Sequence, residues 1–281
     1  MVTSSIVSTG KALARPSRRR MLVGCVGLAA AASVSPWARA AVFARRLEGE
    51  LFAFTAPDRS DLVFALAMAP LPLGQAERDR LSVRLHAGAS SWTVEPYALR
   101  EADASHNGAR MFSGRVRCAD SGDKSAVHLV AVAVPAERMA AGRLDVWAEV
   151  IGADGRLARI GNPVMSELLA GDAGLARLHA ELHPTTDRRL LAAAITRRIA
   201  AGKLDPDAQA RARRLADFVL PDTLCFDRAH PEGFTFAAMN GRRPDDAVAP
   251  IVQTLLVGVP RAGEGDGRFR SSSQFPSFAI A

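Results

Sequence analysis

The sequence predicts an α+β fold, with an antiparallel β-sandwich-like core and a helical hairpin insertion in the C-terminal half. Three observations carry this expectation. Between about 47 and 152, apolar residues come in short runs or alternate with polar ones, the period of two that a strand requires. Between 187 and 219 they recur every three or four residues instead, the period of a helix. Hydrophobic residues make up 48% and charged residues 23% of the 281, a balance that suits a globular chain with one sizeable core.

The strand candidates are LFAFTA (51–56), DLVFALAMA (61–69), RLSVRLHAG (80–88), MFSGRVRC (111–118), AVHLVAVAV (126–134) and LDVWAEVIG (144–152). Ala56-Pro57-Asp58-Arg59-Ser60-Asp61 reads as a hairpin link, because proline presets φ while Asp and Ser side chains bond nearby amides. In the third run, Leu81, Val83 and Leu85 alternate with Ser82, Arg84 and His86, so one face is packed and the other wet. Residues 164–220 are expected to be helical. Leu190, Leu191, Ala194, Ile195 and Ile199 form one stripe, and Ala208, Ala212, Leu215 and Val219 a second, joined through Gly202-Lys203-Leu204. Asp205 before Pro206 has the form of an N-cap and first-turn proline. Asp245 or Asp246 is expected to cap a third helix with Pro250 in its first turns, and 263–273 reads as a loose Gly/Ser-rich tail.

Residues 1–40 are a different material. They hold six of the 36 Lys and Arg residues and none of the 29 Asp and Glu, so most of the formal charge of +7 belongs to them. What remains is close to neutral, which argues against nucleic acid as a partner. Ser17-Arg18-Arg19-Arg20-Met21-Leu22 matches a twin-arginine export signal, with Arg18 and Arg19 as the pair. The apolar run Met21–Val34 follows, and Ala38-Arg39-Ala40 supplies small residues at Ala38 and Ala40 for signal peptidase. Fourteen residues span about 21 Å, short of a ~30 Å hydrocarbon core, so no stable membrane anchor is expected after cleavage. The mature chain is expected to run from Ala41 to Ala281 as a single extracytoplasmic domain, periplasmic or secreted. Its two cysteines, Cys118 and Cys225, are read as thiols rather than a bridge, because twin-arginine cargo folds in a reducing cytosol.

Four stretches of that domain resemble family 4331 of the catalogued domains of unknown function, which occurs in secreted bacterial proteins. They are LFAFTAPDRSD (51–61), Arg159-Ile160-Gly161-Asn162-Pro163, LPDTLCFD (220–227) with Pro231, Gly233, Phe234 and Asn240-Gly241-Arg242, and Phe275-Pro276. Three features depart from the family pattern: its usual opening is absent from 41–50, Ser166 stands where Asn is common, and Ala247 replaces an Asp. The resemblance implies secretion, and its most distinctive part falls in a C-terminal motif block at 220–278. It carries no catalytic residues.

No Gly-x-Ser-x-Gly, phosphate-binding loop, His-Glu-x-x-His or Cys-x-x-Cys occurs. The one concentration of hard ligands is Asp222, Asp227, Asn240 and Asp246 with Arg242, which suits a divalent cation if the side chains converge. Local turn, cap and pairing roles account for each residue without convergence, and that is the preferred reading. His179 and His183, four apart, would share a helix face as a weaker metal pair. The expected function is a non-catalytic binding or scaffold protein of the bacterial envelope, with no cofactor and with an envelope protein or ligand as partner. The alternatives are a metal-dependent enzyme using the acidic block, and a carbohydrate-binding module displaying Trp92 and Tyr97 from a loop.

Overall fold

A computed structural model describes residues 49–58, 60–71, 73–97, 104–106, 108–118, 126–170, 172–201, 206–230, 232–236, 239–257, 269, 271–272 and 274–278. Arg18, Arg19, Ala38, Ala40 and Asp205 lie outside these residues, as does the 202–204 link. The described chain is an α+β fold in which two antiparallel sheets pack together and carry a helical layer.

The first sheet has the order β1-β2-β7-β6-β5, built from β1 (Gly49–Thr55), β2 (Asp61–Met68), β5 (Ala104–His106), β6 (Ala109–Arg117) and β7 (Ala126–Pro135). The expected β1–β2 hairpin is present: Ala56 N–H donates to the Asp61 carbonyl at 2.8 Å, and the Asp58 carboxylate accepts from the Ser60 amide at 3.0 Å. The second sheet runs β10-β8-β3-β4, from β3 (Ser82–Ala87), β4 (Ser90–Val94), β8 (Arg143–Gly152) and β10 (Leu224–Asp227), with β9 (Gly155–Ile160) also on β8. One edge of β8 takes β3, while β10 pairs with residues 143–146 and β9 with 148–152. A small ribbon, β11 (Gly233–Phe234) with β12 (Met239–Asn240), completes the strands among the described residues. β4, β5 and β9 go beyond the sequence expectation, because each is short and half polar.

Both faces of the first sheet are covered, which explains why β2 is apolar from Leu62 to Met68 rather than alternating. Leu62, Phe64, Leu66 and Met68 meet Val83, Leu85, Val146 and Val150 of the second sheet in the main core. Val63, Ala65 and Ala67 face the other way, with Phe52, Phe54, Leu129 and Phe112. That second layer is closed by Phe269 and Phe278, whose rings meet Phe52 edge-on at 5.6 and 5.1 Å. Phe269 and Phe278 are buried there because a sheet face bearing phenylalanines must be shielded from water; most of the 263–273 tail lies outside the described residues.

The helices are α1 (Pro163–Leu169), α2 (Ala173–Glu181), α3 (Asp187–Ala200), α4 (Pro206–Val219) and α5 (Val248–Val257). The α3–α4 hairpin has the expected stripes: Leu191, Ile195 and Ile199 on one helix, Ala208, Ala212, Leu215 and Val219 on the other, all buried. Leu190 is an exception, at 41% exposed, since it sits a hundred degrees of helix turn beyond the stripe. Cys118 packs beside the outer layer of the first sheet and Cys225 lies on β10 of the second; both are free thiols, and burial pushes the Cys225 thiol up. No helix among the described residues is long and apolar enough to cross a membrane.

Phe278 lies outside every strand and yet closes the second layer, so Phe278→Ala should lower unfolding stability by about 3 kcal/mol, the usual cost of removing a buried ring. Urea titration of the purified chain measures this. A cost under about 1 kcal/mol would mean that the tail does not close that face.

Candidate functional site

The Arg159–Pro163 segment leaves β9 and enters α1, and its residues meet the 220–223 segment in a buried polar knot. Arg159 and Asp187 are both fully buried, and Arg159 Nη2 donates to Asp187 Oδ1 at 2.7 Å. The other Asp187 oxygen accepts from the Asp222 amide at 2.8 Å. Asp222 in turn accepts from the Asn162 amide at 2.7 Å through one oxygen and meets His179 Nε2 at 2.8 Å through the other. Asn162 caps α1 by accepting from Met165 N–H at 3.0 Å, and its own amide donates to the Val219 carbonyl at 2.8 Å. Gly161 is required by close approach, since a Cβ there would lie 2.2 Å from the Asp222 carbonyl oxygen. Arg159 Nε and Nη1 find no acceptor among the described residues.

His179 with Asp222 has the composition of an acid–base dyad. Each is about 1% exposed, however, and a general base must come within hydrogen-bond reach of its substrate. The chemistry available to the dyad is therefore positional: it ties α2 to the start of β10. His183 does not join it. α2 ends at Glu181, and His183 accepts from Thr185 N–H at 3.3 Å to open a 3-10 turn, so the two imidazoles do not share a helix face.

The acidic block does not converge as a unit either. Asp222 belongs to the knot. Asp227, at the end of β10, accepts from Ala229 N–H at 3.0 Å and meets His230 Nδ1 at 2.9 Å; the Ala229 bond first, then His230, holds its carboxyl below the usual range. Asn240 spans the same turn, accepting from Asp227 N–H at 2.6 Å and donating to the Asp227 carbonyl at 2.7 Å. Asp246 Oδ2 accepts from the amides of Phe234 at 2.9 Å and Arg243 at 2.8 Å. It therefore clamps β11 to the loop before α5, and the expected cap role is corrected. Arg242 pairs with Glu50 and lies 4.6 Å over the Phe52 ring, joining the block to the first sheet. Among the described residues, no three His, Cys, Asp or Glu side chains stand close enough to hold one metal ion.

Two features went unnoticed in the sequence. On the outer face of the second sheet, Glu149 is buried between Arg84 at 3.6 Å, His86 at 3.3 Å and Arg156. Burial drives its carboxyl up, but His86, Arg156 and Arg84 together outweigh this and hold it below the ordinary value. His86 stacks on Trp147 at 3.7 Å with planes 1° apart, and His183 meets the same indole edge-on at 5.2 Å. The available signal was the wet side of the β3 alternation, Arg84 and His86. The second feature is an open groove of about 420 Å³ between α2 and α3, lined by Leu175, Leu178, Ala194, Arg197 and Arg198 beside the α2 cap, Asp172.

Trp92 is not on a loop. It belongs to β4 and stacks on Phe64 at 5.7 Å, while Tyr97 is half-buried and tilts against His128 at 4.8 Å. Both rings are thus occupied by the chain itself. In comparisons with known proteins, no family model, curated protein or solved structure matches the chain.

The knot predicts that Asp187→Ala, which strands the Arg159 charge in the interior, costs about 3–5 kcal/mol, against about 1 kcal/mol for an exposed pair such as Arg177–Glu181. Equal losses in parallel denaturant titrations would reject the knot as a determinant of stability.

A pH dependence also follows. Burial, opposed by a hydrogen bond to the Pro96 carbonyl and aided by Arg115, holds the His128 imidazole below its ordinary 6.5, and Glu149 is held below its ordinary 4.5. Both stabilise the fold above the unfolded values and lose that contribution as pH falls through the folded ones. The melting temperature should therefore fall first below pH 6.5 and again below 4.5. In Glu149→Gln the second fall should flatten; a profile identical to the parent's contradicts the assignment.

Proposed function

We propose that the chain is an exported, non-catalytic binding or scaffold module of the bacterial envelope. The observation that carries this reading is the use made of the distinctive polar residues. Asp222, Asp227, Asn240 and Asp246 all bond amides of the chain itself, as ties that hold β10, the β11–β12 ribbon and the helices in register. A metal centre needs at least three ligands free to converge, and these carboxylates are engaged with amides and histidines of the chain itself at separate places. The metal-dependent enzyme is accordingly the weaker reading, and the carbohydrate module loses its motive with the packing of Trp92 and Tyr97.

The address rests on Arg18, Arg19 and the Ala38-Arg39-Ala40 cleavage pattern, together with the likeness of 159–163 and 220–242 to a family of secreted proteins. One preparation tests both parts. Protein recovered from the periplasm should begin at Ala41 and should vanish from that fraction when Arg18, Arg19 and Arg20 become Lys. Purified without chelator, it should hold no stoichiometric metal by elemental analysis. Asp246→Asn should be nearly neutral, since its amide oxygen still accepts a hydrogen bond, and Asp246→Ala should cost about 1–2 kcal/mol. Near-stoichiometric metal that disappears in Asp227→Ala would falsify the non-catalytic reading.

A further inference from the structure

The near-neutral balance of the chain after residue 40 hides a strongly uneven distribution. α3 and α4 together contain seven arginines and three aspartates, and one of those aspartates, Asp187, is buried on Arg159. Arg188, Arg189, Arg197, Arg198, Arg213 and Arg214 are all exposed. Arg198 reaches back to the carbonyls of Leu168 and Ala170, whereas the other five have no acidic partner among the described residues. The buried stripes of the two helices enter the same core, through Leu191, Ile195 and Ile199 on α3 and Ala212, Leu215 and Val219 on α4. Residues opposite those stripes, Arg189 and Arg197 on α3 and Arg213 and Arg214 beside Asp217 on α4, are exposed and net positive.

Apolar side chains are exposed on the same layer. Four large hydrophobic residues are exposed in the described chain, and three of them lie on α2–α4: Leu178 at 42%, Leu190 at 41% and Phe218 at 57%. Leu190 and Arg197 are seven apart, two helix turns on one side of α3, so cation and apolar tip share an aspect. Isolated apolar tips among guanidinium groups are the composition of a surface that sits in a lipid headgroup layer.

We propose that the α3–α4 face docks peripherally on the anionic surface of a phospholipid bilayer, arginines to the headgroup phosphates and Leu190 and Phe218 into the interfacial layer. The inference rests on the binding-module reading and names its partner. Charge layout favours a bilayer over an acidic protein. A protein partner sets a few carboxylates against a few gathered cations, but the groove between α2 and α3 brings together only Arg197 and Arg198. The remaining arginines are strung along two helices, each of 14 residues and so about 21 Å long, which matches a laterally uniform sheet of charge.

Vesicle sedimentation with the chain from Ala41 to Ala281 tests this, using phosphatidylcholine alone or with about 30 mol% phosphatidylglycerol. Binding is expected only with the anionic lipid, falling sharply between about 0.05 and 0.5 M NaCl as the charges are screened. Arg189→Glu/Arg197→Glu/Arg213→Glu should lower the partition coefficient about a hundredfold, at about fivefold per arginine. The same three positions changed to Gln carry the test if the reversed variant does not fold, and Leu190→Ser with Phe218→Ser should reduce the salt-resistant remainder severalfold. Equal binding to both vesicles, or parental binding by the folded Gln variant, overturns the proposal. So does failure to bind anionic vesicles with saturable binding to polyglutamate, which would give the face to an acidic protein and leave the binding-module reading standing. That reading fails separately, on the metal analysis.

Discussion

A guanidinium group removed from water costs several kcal/mol unless a carboxylate meets it in good geometry, and Arg159 is removed from water completely. Asp187 answers it at the first residue of α3, and the second Asp187 oxygen takes the amide of Asp222. Asp222 then takes the amide of Asn162 and the ring of His179. One ion pair thus determines where α3 starts relative to β9, where the chain turns into β10, how α1 is capped and how close α2 lies. A slip of any of these elements by one residue would leave a buried charge or amide without its partner, at about 1–3 kcal/mol for a neutral group and more for an ion.

The rest of the architecture follows from the faces that this arrangement leaves. The first sheet is buried on both sides, against the second sheet and beneath Phe269 and Phe278, so it presents little to a partner. Gly241 brings the 240–242 segment against β1, where a Cβ would meet the Ala53 carbonyl at 2.4 Å, and Arg242 seals that contact on Glu50 and Phe52. Segments 159–163, 220–223 and 240–242 are thereby interior ties. Three of the four large apolar residues exposed in the described chain lie on the helical layer together with exposed arginines.

The candidate site residues are related through space rather than along the chain. Asp222 and Asp227 are five residues apart, yet β10 runs between them, so one enters the knot and the other the β10–β12 turn. His179 and His183 are four apart, yet the helix ends at Glu181 and their rings go to Asp222 and Trp147. Composition offered the acidic block, and spacing the His179–His183 pair, as the less favoured metal readings; among the described residues neither set of side chains converges. Conversely, His179 and Asp222 are 43 residues apart and Arg159 and Asp187 are 28 apart, separations at which no local pattern exists.

The sequence by itself determined what depends on near neighbours. The β1–β2 hairpin, the wet and packed sides of β3 and the stripes of α3 and α4 were legible because each is set by residues two to four positions apart. The short strands β4 and β9 were not, since half their side chains are polar and their existence depends on the free edges of β3 and β8. Only the tertiary structure decided which polar residues are consumed inside and which face water. Burial of a charge is a property of everything packed around it, so the pairing of Arg159, the closing of the first sheet by Phe278 and the exposure of the α3 and α4 arginines appear only when distant segments meet.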